Sequence, residues 1–247
     1  MDEKTSLTHE LISAWCGPAF LVLFVLCFGF FGHNLPAPPS PTLDSAQVAA
    51  RVTGNLGHLR LGWVMCLVFV TLYMPWTAQI STQMSRIEKH SRVMTYLQMI
   101  GGALTVFVVS FAVLCWSVAT FRPERDPAII QMLTDFGWES LELQWCITTL
   151  QMVAMALIGL ADKRKEPLFP RWTCFLSIWC GLSFAPASMT QYLKTGPFAW
   201  DGMLSFYIPY AAWLVWCGVI SVYMIKDVRR RMVSPAIQPL TGRLASA

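Results

Sequence analysis

Six long apolar runs alternate with short polar segments along this chain, and the pattern predicts membrane helices. The runs are Leu11–Gly32, Leu61–Ser81, Val93–Ala119, Leu141–Ala161, Trp172–Leu193 and Met203–Ile225. A hydrocarbon core of about 30 Å is crossed by about 20 mostly apolar residues in helical form, so each run is long enough. The expected fold class is all-α: one polytopic bundle of six transmembrane helices over residues 1–232, with a flexible tail over 233–247. The first run exceeds the roughly 7–15 apolar residues of a signal peptide and lacks a small-residue cleavage site, so it is expected to be retained.

The polar segments between the runs are unequal. The N-terminus, second loop, fourth loop and tail carry thirteen of the 18 Lys and Arg residues, among them Arg86, Lys89, Lys163, Arg164, Lys165, Arg229, Arg230, Arg231 and Arg243. The opposite set carries Arg51, Arg60, Arg122, Arg125 and Lys194. Basic residues are retained in the cytoplasm, which predicts that both termini are cytoplasmic.

The outer loops hold more local detail. Loop 1 begins with Leu35-Pro36-Ala37-Pro38-Pro39-Ser40-Pro41, too proline-rich for helix, and Ser45–Asn55 can add a short one. In loop 3, Asp126 can cap a helix with Pro127 at its first position. Ile129, Met132, Leu133 and Phe136 then fall at i, i+3, i+4 and i+7. That spacing predicts a short amphipathic helix lying on the membrane surface over the outer mouth of the bundle. Pro18, Pro75, Pro186 and Pro209 fall inside runs and predict kinks, because each leaves a helix carbonyl without its donor.

Composition agrees with the patterning and closes several functional classes. Hydrophobic residues make up 55% and charged residues 13%, against about 25% charged in soluble domains. The net charge of +4 is explained by basic helix ends at a headgroup layer and does not indicate nucleic acid. All eight cysteines lie within the runs without C-x-x-C spacing, so neither a disulfide framework nor a zinc site is indicated. His9, His33, His58 and His90 sit at run ends or outside them, which excludes a bis-histidine membrane haem. His33 and His58 share the outer side with Asp44, but two histidines across a flexible loop do not define a metal site. No metal or cofactor is expected. The basic loops are short and carry no phosphate-binding glycine motif, so the chain contains no ATP-driven motor.

Two constellations remain. Arg122, Arg125, Asp135, Glu139, Glu142, Lys194 and Asp201 form a candidate outer-face polar site, in which acids near a helix entry would act at a wet boundary. Gln79, Gln144, Thr148 and Gln151 form a candidate intramembrane polar stripe, of the kind that hydrogen-bonds between helices. On an unbroken helix Glu142 lies about 160° from that stripe, so acids and stripe are expected to face different ways. No acid or base is expected at mid-membrane, which argues against a buried carboxylate relay.

The strings Phe121-Arg122-Pro123-Glu124-Arg125-Asp126-Pro127, Phe169-Pro170-Arg171-Trp172 and Lys194-Thr195-Gly196-Pro197-Phe198-Ala199-Trp200 resemble a group of uncharacterised six-span integral membrane proteins of actinobacteria and some proteobacteria. The resemblance covers roughly the second to sixth runs. It implies a bacterial inner-membrane location and supplies no activity.

The expected function is non-catalytic: binding or passage of a small hydrophobic molecule within the bilayer, as an accessory to a larger system. The alternative is a membrane-embedded enzyme that acts on a lipid-like substrate with its outer-face carboxylates. The lipid bilayer is the expected partner in both, and nucleic acid in neither.

Overall fold

The computed structural model describes residues 2–233, and no strand occurs among them. Val233, the first residue of the expected tail, still belongs to the last helix, and the remainder, 234–247 with Arg243, lies outside the described residues. Helix α1 (Glu3–Phe24) is capped by Asp2, whose side chain accepts from the Thr5 amide, and it continues as a π-helix over Val25–Phe31. A capping box of Asp44 and Gln47 starts α2 (Ser45–Gly54), the short helix expected in loop 1. Helix α3 (Leu56–Phe69) runs through a 3₁₀ turn, Val70–Leu72, into α4 (Tyr73–Met84). Pro75 removes the donor that would serve the Thr71 carbonyl, which accounts for the irregular turn there. Helix α5 (Val93–Phe121) is unbroken over 29 residues, about 43 Å.

The next two helices depart from expectation. Helix α6 (Pro127–Glu142) starts with Asp126 as cap and Pro127 at its first position, as its sequence predicts. It does not lie flat over the outer mouth. It runs back along α5, with Ile130, Thr134, Gly137 and Trp138 buried and the predicted face of Ile129, Met132 and Phe136 turned outward. The Trp116 indole donates to the Thr134 carbonyl at 3.1 Å, and Phe136 meets Phe111 edge-on at 5.5 Å. Gly137 permits this approach, because a Cβ there would collide with the Trp116 ring. After a turn at Leu143-Gln144, α7 (Trp145–Ala161) completes the passage along the other half of α5. Gly101 meets Gln151 and Ile147, and Thr105 shares a 2.9 Å hydrogen bond with Thr148.

Five segments are long and apolar enough to cross a membrane: Glu3–Phe31, Leu56–Met84, Val93–Phe121, Pro127–Ala161 and Met203–Val233. The fifth predicted run, Trp172–Leu193, is divided: α8 (Arg171–Ser183) ends at Phe184, and a 3₁₀ helix follows over Ala185–Met189. Pro186 enforces that break. The last run begins as a π-helix, Met203–Tyr207, and becomes α9 (Ile208–Val233). Pro209 cannot donate to the Ser205 carbonyl, which fits irregular winding at that point.

Val22, Val64, Phe107, Trp179 and Val215 are largely exposed on the outer surface of these helices. Large apolar side chains turned outward in this number suit lipid as the surrounding medium. The interior is aromatic. Trp216, Trp76, Tyr73, Phe20 and Trp213 pack in succession, with centroids 4.9–5.8 Å apart. Phe24 and Phe28 carry the series to Trp63, Trp116 and Trp138. At the end that carries the N-terminus, Glu10 binds Arg86 and Arg231 at 2.6 Å each, tying α1, the end of α4 and α9 together. Arg231 also pairs with Asp227 at 2.8 Å.

Candidate functional site at the break between α6 and α7

Helix α6 descends so far along α5 that its last residue, Glu142, reaches the level of Thr105 and Val109, near the middle of α5. Glu142 is 2% exposed. The Tyr210 hydroxyl donates to its Oε1 at 2.9 Å. Beside this pair is a cavity of about 510 Å³ including its opening, whose walls include Phe24, Gln144, Trp145, Thr148, Phe184 and Trp213. A carboxyl group so far from bulk water is costly unless hydrogen-bonded, and tyrosine provides one bond.

Helical irregularities converge on this cavity. Phe24 is the last α-helical residue of α1 before its π-helix, Gln144 lies in the α6–α7 turn, and Phe184 ends α8. Tyr210 stands three residues beyond the π-helix that precedes α9. Irregular backbone inside a bilayer is tolerated where it is enclosed by protein or lines a cavity, because its unpaired groups find partners there.

Two sequence expectations are corrected here. Glu142 is not at a wet boundary, and a carboxyl group does lie in the interior of the bundle. Nor do Glu142 and the polar stripe face different ways: Glu142, Gln144 and Thr148 line one cavity. The 160° separation assumed a continuous helix, and the turn at Leu143-Gln144 resets the direction.

The remaining candidates divide into separate groups. Asp135 and Glu139 precede Glu142 at i−7 and i−3 on α6, and Lys194 is close enough to act electrostatically on both. One carboxylate oxygen of Glu139 is buried without a hydrogen-bond partner. The structure does not bring Arg122 or Arg125 to these acids. Arg125 donates to the Val118 carbonyl at 3.1 Å, helping to close the end of α5, and the Arg122 guanidinium lies 5.8 Å from the Phe121 ring centroid. Asp201 sits half-buried in the turn before the Met203–Tyr207 π-helix.

The stripe also splits. Gln151 accepts from the Tyr73 hydroxyl at 3.0 Å and donates to Thr77 at 2.8 Å, a buried bond set that joins α4 to α7. Gln79 donates to Glu10 at 3.2 Å and belongs to the ion cluster at the terminal end. His33 and His58 stack with centroids 5.6 Å apart, and among the described residues no group of three metal-ligating side chains forms. Sequence reasoning missed Tyr210, which lies 68 residues from Glu142; the proline at 209 was the local signal for an irregular backbone there. Comparison with models of protein families, with curated proteins and with solved structures gives no match.

Proposed function

We propose that this chain is a six-crossing bacterial inner-membrane protein that binds a small hydrophobic molecule at the Glu142–Tyr210 cavity without transforming it. The observation that carries this reading is the buried carboxyl group beside a void with mostly apolar walls at mid-bundle. Such a site suits a ligand with an apolar body and one hydrogen-bond donor, taken from the bilayer. Binding has more support than passage. Below the cavity, Tyr73, Trp76 and Trp216 are fully buried, with Trp76 packed against both of the others, leaving a packed centre towards the terminal end. The arginines that an enzyme would set against these acids serve the end of α5 instead.

The sixth crossing in this reading is α8 with its 3₁₀ extension. Thirteen α-helical and five 3₁₀ residues reach about 20 Å and about 10 Å, together near the hydrocarbon thickness. With six crossings, the basic end at Arg86, Arg164 and Arg230 faces the cytoplasm together with both termini.

The test compares wild-type protein with E142L and Y210F, each purified in mild detergent and extracted for hydrophobic small molecules by mass spectrometry. A compound retained near stoichiometrically by wild type and depleted at least tenfold in E142L is expected. Equal retention of the same compounds by wild type and both variants would refute the site. Cysteine accessibility in intact cells tests the topology: K165C should resist a membrane-impermeant maleimide, and T195C should react with it.

A further inference from the structure

A second cavity, of about 430 Å³ including its opening, lies between α2, α3, α5 and α6 at the end opposite the ion cluster. Its walls include Trp63, Trp116 and Trp138, with Arg51 from the last turn of α2 as its charged group. No carboxylate lines it. Arg51 is half-buried and donates through one terminal nitrogen to the His33 carbonyl. None of the ion pairs among the described residues includes Arg51, although Glu10, Asp162, Glu166 and Asp227 are all paired elsewhere. Trp116 spends its indole N–H on Thr134. Trp138 and Trp63, 1% and 5% exposed, have no such acceptor among the hydrogen bonds of the described residues, in contrast to Trp116, Trp145 and Trp200.

This cavity combines an unneutralised guanidinium with apolar aromatic walls and two unused indole donors. A half-buried charge in such surroundings is stabilised by an opposite charge, and guanidinium matches a planar carboxylate with paired hydrogen bonds. Trp116 stands five residues before the end of α5, about 8 Å along the axis. That depth suits an amphiphile entering from the bilayer interface. The proline-rich segment forms part of the wall through Pro39, whose carbonyl is held by the Trp200 indole at 2.8 Å. Phe28 separates the two cavities: it contacts Trp116 and Trp138 on one side and stacks with Tyr210 at 6.4 Å on the other.

We propose that the Arg51 cavity is a binding site for a lipophilic carboxylate, with its anionic group on Arg51 and its apolar body among Trp63, Trp116 and Trp138. The site is independent of the one at Glu142.

The test uses 2-naphthoate and its neutral counterpart methyl 2-naphthoate, which has no hydrogen-bond donor to offer Glu142, as probes, titrated calorimetrically into detergent-solubilised protein. Wild type is expected to bind naphthoate at least tenfold more tightly than the ester. R51Q should abolish that preference, W138A should weaken both probes, and E142L should leave the naphthoate affinity within twofold. An unchanged naphthoate affinity in R51Q, or equal affinities of wild type for acid and ester, overturns the proposal. Should R51Q fail to fold, R51K decides: a loss of the acid preference of fivefold or more supports bidentate recognition, and full retention overturns it. Competition of naphthoate by inorganic phosphate at equal concentration would also overturn it, because the site would then select charge rather than a lipophilic carboxylate.

Discussion

Replacing Gln151 with leucine removes the polar link between α4 and α7 while nearly preserving side-chain volume. Gln151 is fully buried; it accepts from Tyr73 at 3.0 Å and donates to Thr77 at 2.8 Å. Leucine leaves the Tyr73 hydroxyl in an aromatic interior with no acceptor in place of Gln151, a loss of about 1–3 kcal/mol. Thr77 keeps only the long bond from Gln98 at 3.5 Å, and each interhelical bond lost in a membrane bundle is worth about 0.6–1.7 kcal/mol. These two terms overlap, because they count the same lost bonds in part, so the expected destabilisation of Q151L is about 2–3 kcal/mol. The assay is reversible unfolding in mixed micelles with increasing SDS, followed by far-ultraviolet circular dichroism. Y73F alone is expected to cost about 1 kcal/mol. Combined with Q151L it should cost little more than Q151L alone, because it removes the stranded hydroxyl. A double-mutant cycle should therefore show a coupling of about 1 kcal/mol between the two sites. Additivity within about 0.3 kcal/mol would refute the reasoning, since two residues that share a bond cannot act independently.

The ion cluster gives a second prediction: E10Q leaves Arg86 and Arg231 to share Asp227, at 3.7 and 2.8 Å, as their carboxylate and should cost about 1–3 kcal/mol in the same assay, with R86Q in that background restoring part of it. G137V should push α6 off the Trp116 ring and cost about 1–3 kcal/mol, with more mobile Trp116 fluorescence in a variant that retains only that tryptophan. Asp162 lies beyond the end of α7; burial would raise its pKa, but hydrogen bonds from Arg164 and the Leu168 amide outweigh it and hold the carboxyl below its ordinary 3.8. A depressed folded-state pKa means that the stabilisation is complete above the unfolded value and is lost as pH falls below it. Stability should thus decline on acidification below about pH 4, and D162N should flatten that part of the profile measured by thermal unfolding.

Most of the helices were legible along the chain because each is encoded locally. Asp44, Asp126 and Pro127 announce the starts of α2 and α6, and the apolar runs announce the long helices. The prolines at 75, 186 and 209 mark where regular winding fails, whereas Pro18, also expected to interrupt its helix, lies within continuous α1. What local reading could not supply was the depth of α6. A run starting at Leu141 looks like a membrane entry, whereas Glu142 sits at mid-bundle because Pro127–Glu142 already occupies the upper half of that passage. The packing of Gly137 against Trp116 decides this, and such a contact leaves no trace in periodicity.

The sequence by itself determined the medium, the helices and the segregation of basic residues to one set of loops, since hydropathy and capping act over a few residues. Only the tertiary structure decided which polar residues meet. Glu142 finds Tyr210, Gln151 finds Tyr73 and Arg51 finds a wall of tryptophans across separations of 12 to 87 residues. The physical reason is that a buried polar group must be satisfied by whatever neighbour the packing supplies, and packing is set by side-chain volume and glycine contacts between helices distant along the chain.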